Sequence, residues 1–321
     1  MVRTPWSRLA ALLREAPAVL IAAHEQPDAD ALGSALALAA GLEQRGGRVQ
    51  VACADPVPPR YAFLPGAQRV TQHPSPTPLL VILDAGAWSR LGSVEPMGRE
   101  CAEVMVVDHH PGGSRWRWAH LDLRAAATAL LVRRLLRALG ATLTPEIATC
   151  LYAALGGDTG YFTFQNTDAA ALRLAAELVA AGANPYEIHR QAADHLPLSS
   201  LHLQGRALAS TRVAAQGRIA WAVLRREDFR QAGATDAETE GLVDLLKSAA
   251  GAEVYVLFKQ GPEDTWRVSL RSRAADVGQV AQHLGGGGHR VAAGCTLIGT
   301  ETSVRRRVLD ALRRLLEEPR T

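Results

Sequence analysis

Four short stretches gather the side chains most able to do chemistry. "HEQPDAD" puts His24, Asp28 and Asp30 close together, directly after the apolar run "AVLIAA". "LLVILD" ends on Asp84, "EVMVVDHH" ends on Asp108, His109 and His110, and "LGGDTGYF" carries Asp158 behind a double glycine. Each has a plainer reading when taken alone. An aspartate before a helix commonly caps it, so Asp30 could cap a helix over 31–45 and Asp84 one beginning near Ala87. Their number argues otherwise. Gathered carboxylates repel one another and lose hydration unless a cation neutralises them. Five of them with one to three imidazoles exceed what a single divalent ion balances. Two divalent ions ~3.5–4 Å apart form the kind of centre that hydrolyses phosphate esters by in-line displacement. Oxygen and imidazole ligands without sulfur favour Mn²⁺, with Mg²⁺ or Co²⁺ as alternatives and Zn²⁺ behind them.

A fifth stretch, "LGGGGHRVAAG", places Gly285, Gly286, Gly287 and Gly288 before His289. Glycines let a backbone approach a ligand closely and aim its amides at an anion, and the histidine can donate to a phosphate oxygen. A flexible turn before a strand is the competing reading.

The elements that must position these residues follow from the apolar pattern. Continuously apolar runs at 18–23, 48–54, 78–86 and 103–110, separated by helical patterns, predict an α/β domain whose parallel sheet is covered on both faces. In such a sheet, ligands bind outside the carboxyl ends of the strands, which is where the four acidic stretches fall. Helices are expected over 124–139, 145–156 and 168–181, the last capped by Thr167 or Asp168. Strands at 218–224, 253–260 and 265–273, the last two turned through Gly261 and Pro262, predict a second, smaller α+β domain. The expected boundaries are 1–183 for the catalytic domain, 184–212 for a helical connector and 213–321 for the second domain.

Composition excludes several classes. With 48% apolar residues and a net charge of +3, the 321-residue chain can bury a proper core but does not hold a long polyanion by charge alone. Cys53, Cys101, Cys150 and Cys295 lack CxxC spacing and read as core residues. Arg14 and Glu15 interrupt the first apolar stretch, and no run approaches the ~18 residues of a membrane span. A soluble, cytoplasmic protein is expected, as monomer or homodimer. Trp116 and Trp118, interleaved with Arg115 and Arg117, suit an edge strand better than base stacking. His73, His120, His189, His195, His202 and His283 read as structural or surface residues, and the arginine pairs and triplet at 133–134, 305–307 and 313–314 as solvated helix faces.

In order and spacing, "HEQPDADALGS", "VILDAG", "VVDHH" and "GGDTGYF" resemble the motifs of the DHH phosphoesterase family, which includes RecJ-type nucleases, cyclic-dinucleotide hydrolases and nanoRNases. "VSLRSR" and "LGGGGHRVAAG" resemble the DHH-associated C-terminal domain of one branch, so the resemblance covers nearly the whole chain. It implies that His24 and Asp28 hold one manganese ion, that Asp30, His109 and Asp158 hold the other, and that Asp84 bridges them. Asp108 would then orient His109, and His110 would face the substrate phosphate. It further implies that Arg271, Gly286, Gly287, Gly288 and His289 grip the nucleotide, with Ser269, Arg273 and Arg290 as weaker candidates. A two-domain chain of this length is similar to the branch that degrades very short RNA and removes phosphate from 3′-phosphoadenosine 5′-phosphate, with short DNA as a further substrate. The competing readings are a cyclic di-AMP or pApA phosphodiesterase, a RecJ-like single-strand exonuclease, and a non-catalytic nucleotide-binding module.

Overall fold

The computed structural model describes residues 3–110, 116–193, 197–239 and 241–317. The chain divides into two compact units, residues 1–195 and 196–321. The first contains α1 (Trp6–Glu15), β1 (Ala18–Ala22), α2 (Ala29–Glu43), β2 (Arg48–Ala52), β3 (Val70–Thr71), β4 (Leu79–Leu83), α3 (Glu95–Arg99), β5 (Glu103–Asp108) and β6 (Trp118–Leu121). Four helices follow: α4 (Thr128–Leu139), α5 (Pro145–Thr159), α6 (Ala169–Ala180) and α7 (Pro185–Ala192). The strands form one parallel sheet in the order β3-β2-β1-β4-β5-β6.

Side chains alternate across the strands, and the unit has two cores accordingly. Val19, Ile21, Val81, Leu83, Met105 and Val107 pack with α1, α2, α4 and α5. Leu20, Leu80, Ile82 and Val106 pack on the other face with Leu91, Val94 and Trp116. The expectation of a parallel sheet covered on both sides is met.

Helix α2 starts two residues earlier than predicted, and its cap is Asp28, whose carboxylate accepts from the Ala31 amide at 2.9 Å. Asp30 is thereby turned inward on the first helical turn. Asp84 caps nothing either: the short helical segment beyond it begins at Trp88, behind Ala87, with no side-chain cap. Asp168, of the two candidates, caps α6. Trp116 is buried against Trp88, with ring centroids 5.4 Å apart, and the Trp118 indole donates to Glu103, so both rings serve packing. Arg115 and His195 lie outside the described residues. All four cysteines are buried and unpaired with one another.

Small residues let α2 and α5 approach closely. A Cβ added at Gly33 would lie 2.3 Å from the Cys150 carbonyl oxygen and 2.9 Å from the Ala154 Cβ, and one at Gly157 would lie 2.7 Å from the Ala29 Cβ. Asp30 and Asp158 sit on these two helices, so the contact sets their separation.

The second unit contains α8 (Leu198–Ala209), β7 (Arg212–Ala214), β8 (Ile219–Leu224), α9 (Arg226–Ala232), α10 (Leu242–Leu245), β9 (Val254–Gln260) and β10 (Thr265–Ser272). It continues with α11 (Val277–His283), β11 (Gly287–His289), β12 (Ala292–Ile298) and α12 (Glu301–Glu317). Its mixed sheet runs β11-β12-β10-β9-β8-β7, with β8 and β9 parallel and the other pairs antiparallel. The turn predicted at Gly261 and Pro262 joins β9 to β10. The segment 184–212 forms α7 in the first unit, α8 in the second and the start of β7. Among the described residues no helix is long and apolar enough to cross a membrane.

Two glycine substitutions have opposite expected effects. Alanine propensity favours Gly→Ala by about 1 kcal/mol inside a helix, and at Gly205 in α8 an added Cβ meets nothing within 4 Å. Gly205→Ala should therefore raise the denaturant midpoint. At Gly33 the clash outweighs propensity, so Gly33→Ala should cost about 1–3 kcal/mol, read by urea unfolding; a stabilised Gly33→Ala would refute the close packing.

Candidate metal centre

Strand order reverses between β1 and β4, the place where open parallel sheets form their ligand crevice. β1 leads into His24, Asp28 and Asp30, β4 into Asp84, and β5 ends in Asp108 ahead of His109 and His110. Helix α5 brings Asp158 to them. Asp84 takes φ 58°, a left-handed conformation uncommon for a residue other than glycine and found at functional sites. It is held there from three sides. Its amide donates to the Val107 carbonyl at 3.3 Å, Arg90 donates to its carbonyl at 3.1 Å, and the Thr128 hydroxyl donates to its Oδ1 at 2.9 Å.

The structure brings all eight predicted residues of this region together. His24 Nε2 lies 3.7 Å from Asp28 Oδ2 and 3.6 Å from Asp84 Oδ2. His109 Nε2 lies 3.0 Å from Asp158 Oδ2, 3.5 Å from Asp84 Oδ1 and 3.9 Å from Asp30 Oδ2. One oxygen of Asp84 thus faces each imidazole. His24, Asp28 and Asp84 make one group able to hold a metal ion, and Asp30, His109 and Asp158 make another. Asp84, Asp108, His109 and His110 make a third.

Asp108 does not orient His109. Its Oδ1 accepts from the amide and Nδ1 of His110, both at 2.9 Å. His109 Nδ1 is instead 3.0 Å from the Ala125 carbonyl, and His24 Nδ1 is 2.7 Å from that of Glu25. With Nδ1 on a carbonyl, each ring is left with Nε2 for another partner. Ser34, which ends the stretch "HEQPDADALGS" with no role assigned from sequence, and Thr128, which lies outside every motif, are central here. Asp30 is fully buried, and it accepts from the Ser34 hydroxyl at 3.0 Å and from the Thr128 and Ala129 amides at 2.5 and 3.0 Å. The N-terminus of α4, rather than that of α2, receives this carboxylate, a placement the helix dipole favours. The predicted helix over 124–139 gives Thr128 no mark, since the observed helix opens four residues later, at Thr128 itself.

Electrostatics agree with a cation site. Burial and the neighbouring Asp84 and Asp158 hold Asp30 well above the ordinary carboxyl range. Burial also opposes charge on Asp84, but His109, His110 and His24 outweigh it and hold that carboxylate well below its usual value. Burial alone would lower the imidazoles. Asp28 and Asp84 instead raise His24 to about 10, Asp158 and Asp84 raise His109 to about 12, and Asp108 and Asp84 raise His110 to about 9. Nε2 of His24, Nε2 of His109 and Oδ2 of Asp108 are buried without a hydrogen-bond partner among the described residues. Such orphaned donors and acceptors are costly unless something else satisfies them. The donor set therefore fits a divalent metal.

The substrate-side candidates lie on the second unit's sheet. Arg271 on β10 and His289 on β11 both pair with Ala292 of β12, so they share one face and one row. The Arg271 guanidinium is 3.4 Å from Asp244 and donates to the Leu270 carbonyl. Added Cβ atoms at Gly286 and Gly288 would lie 2.1 Å from the Gly294 carbonyl oxygen and 2.5 Å from the Ala293 Cα, whereas Gly287 has open space. Close approach to β12 thus explains two of the glycines. Ser269 lies between Gly294 and Leu257, Arg273 is tied to the Tyr255 hydroxyl at 2.7 Å, and Arg290 is exposed.

Because the metal-free imidazoles are protonated at neutral pH, an ion binding through Nε2 must displace their protons. Divalent-ion affinity should accordingly rise with pH between about 6 and 8, with proton release on binding. Calorimetric titration in buffers of different ionisation enthalpy reads the release, and a count of zero would contradict histidine ligation.

The DHH family N-terminal domain model matches residues 18–155, and the DHHA1 domain model matches residues 216–318. The chain is 36% identical over 307 residues to the bifunctional oligoribonuclease and PAP phosphatase NrnA of Thermus thermophilus, covering 92% of this chain and 89% of that one. It is 26% identical to the Bacillus subtilis protein of the same name, over 94% and 95% of the two chains. The crystal structure of an exopolyphosphatase-related protein from Bacteroides fragilis superposes with a TM-score of 0.92 at 23% identity, covering 98% and 97%, which shows a common fold. By these matches and by the carboxylate and imidazole cluster at its sheet edge, the chain belongs to the DHH family of phosphoesterases.

Proposed function

We propose that the protein is a metal-dependent phosphoesterase that degrades very short oligoribonucleotides to mononucleotides and removes the phosphate of 3′-phosphoadenosine 5′-phosphate. The observation that carries this reading is the placement of Asp84, with Oδ2 3.6 Å from His24 and Oδ1 3.5 Å from His109. Full-length likeness to two bifunctional oligoribonuclease and PAP phosphatase proteins supports the substrate class.

The site would take two divalent ions, Mn²⁺ by the donor set. His24 and Asp28 would hold one, Asp30, His109 and Asp158 would hold the other, and Asp84 would serve both. Such ions lower the pKa of water and stabilise charge on the attacking and leaving oxygens of an in-line displacement. The chain's own residues do the rest. Thr128 fixes the Asp84 carboxylate by its hydroxyl and Asp30 by its amide. Asp108 fixes His110 through two hydrogen bonds, orienting its ring for a phosphate oxygen. Arg271, His289 and the backbone of Gly287 and Gly288 bind the substrate's terminal phosphate, while the Gly286 amide donates to the Ala281 carbonyl at 2.8 Å and shapes the turn before them. The protein acts in the cytoplasm on short RNA and nucleotide bisphosphates.

Turnover tests this reading. With Mn²⁺ present, two- to five-nucleotide RNA should be cleaved faster than a ~24-nucleotide RNA, and 3′-phosphoadenosine 5′-phosphate should release phosphate. Faster cleavage of cyclic di-AMP or of the long strand would overturn the substrate assignment. Asp84→Ala should lose at least ~10³-fold in kcat and bind fewer ions, whereas retained activity would defeat the proposed centre. His289→Ala should raise KM by about tenfold with metal content intact, and loss of metal would show that His289 is misassigned.

A further inference from the structure

The second unit has a cavity of about 630 Å³, lined among others by Arg226, Phe229, Arg230, Lys259, Arg267 and Thr296. That volume is in the range of small-molecule sites, roughly 300–1,000 Å³. Its lining is cationic. Lys259 and Arg267 share a single carboxylate, Asp236, and Arg230 meets Glu227. The exposed Arg226 guanidinium has no hydrogen-bond or ion-pair partner among the described residues. Burial holds the Lys259 ammonium below its ordinary pKa even beside Asp236, the condition of a cation short of counter-charge. Polar groups at Thr235, Gln260 and Thr265 and the partly buried ring of Phe229 complete the wall.

The cavity is joined to the row of Arg271 by β10 itself. Arg267, Ser269 and Arg271 alternate with the buried Trp266, Val268 and Leu270, so they lie on one face. Four residues of strand separate the two arginines by about 13 Å. Across this interval the neighbouring β12 presents only Ala292, Gly294 and Thr296 on the same face, opposite Arg271, Ser269 and Arg267. Small residues there leave a low floor between two cationic ends.

We propose that this cavity is a second nucleotide site, in which Arg226, Arg230, Lys259 and Arg267 receive a phosphate while Phe229 packs against the base. The geometry favours the far end of an oligonucleotide whose near phosphate lies at Arg271 and His289, an assignment that rests on the proposed substrate class. A free mononucleotide offers the same chemistry and is the alternative source.

The test uses the full chain and Arg226→Glu, an exposed position whose folding is checked by thermal melting. KM is measured for two- and five-nucleotide RNA with Mn²⁺, and direct binding is measured for 5′-AMP. A five-nucleotide KM that rises about tenfold relative to the two-nucleotide KM assigns the cavity to the substrate's far end. Loss of 5′-AMP affinity with the KM ratio constant assigns it to the free nucleotide. Neither change in a folded variant overturns the proposal. Wild-type protein that cleaves no RNA but binds 5′-AMP through Arg226 would defeat the oligoribonuclease reading and leave the second site standing.

Discussion

Asp30, Asp84, Asp108 and Asp158 stand together at the carboxyl end of one sheet, the first three with at most 1% of their surface exposed. Like charges so placed destabilise the fold unless each is met by donors and the set by a cation. The surrounding structure supplies those donors. The amides at the start of α4 meet Asp30, the Thr128 hydroxyl meets Asp84, and His110 meets Asp108. The imidazoles answer the rest, which is why their protonated forms persist far above the usual range. The glycines that draw α2 and α5 together belong to the same solution, since those helices carry Asp30 and Asp158.

Order of the strands makes the gathering cheap in geometry. A switch between β1 and β4 opens a crevice without any insertion, so short loops suffice to deliver the side chains. Among the metal-ligand candidates Asp84 alone has a left-handed backbone, and it is held through Val107, Arg90 and Thr128. A carboxylate fixed in that way can present one oxygen to each histidine without rearranging.

Much of this was legible in the sequence because apolar runs ending in acidic residues have a direct spatial meaning in a parallel sheet. The strands, the two-domain division and the convergence of His24, Asp28, Asp30, Asp84, His109 and Asp158 followed from that pattern. What escaped it depends on side-chain direction or long-range pairing. Capping logic pointed to Asp30, but a helix starting two residues earlier gave the cap to Asp28. Asp108 turned to His110 because the strand end leaves the His109 Nδ1 beside Ala125. Thr128, 98 residues from Asp30, had no local mark at all. Gly286 packs against β12 and Gly288 pairs with it, which a reading of the glycine run as a ligand cradle does not foresee.

A count of bound manganese tests the central claim most directly. Equilibrium dialysis of the metal-free chain against Mn²⁺, followed by electron paramagnetic resonance, should give two ions per chain with an exchange-coupled spectrum, as ions sharing the Asp84 carboxylate require. One ion per chain, or two with the spectra of isolated ions, would contradict a centre joined through Asp84.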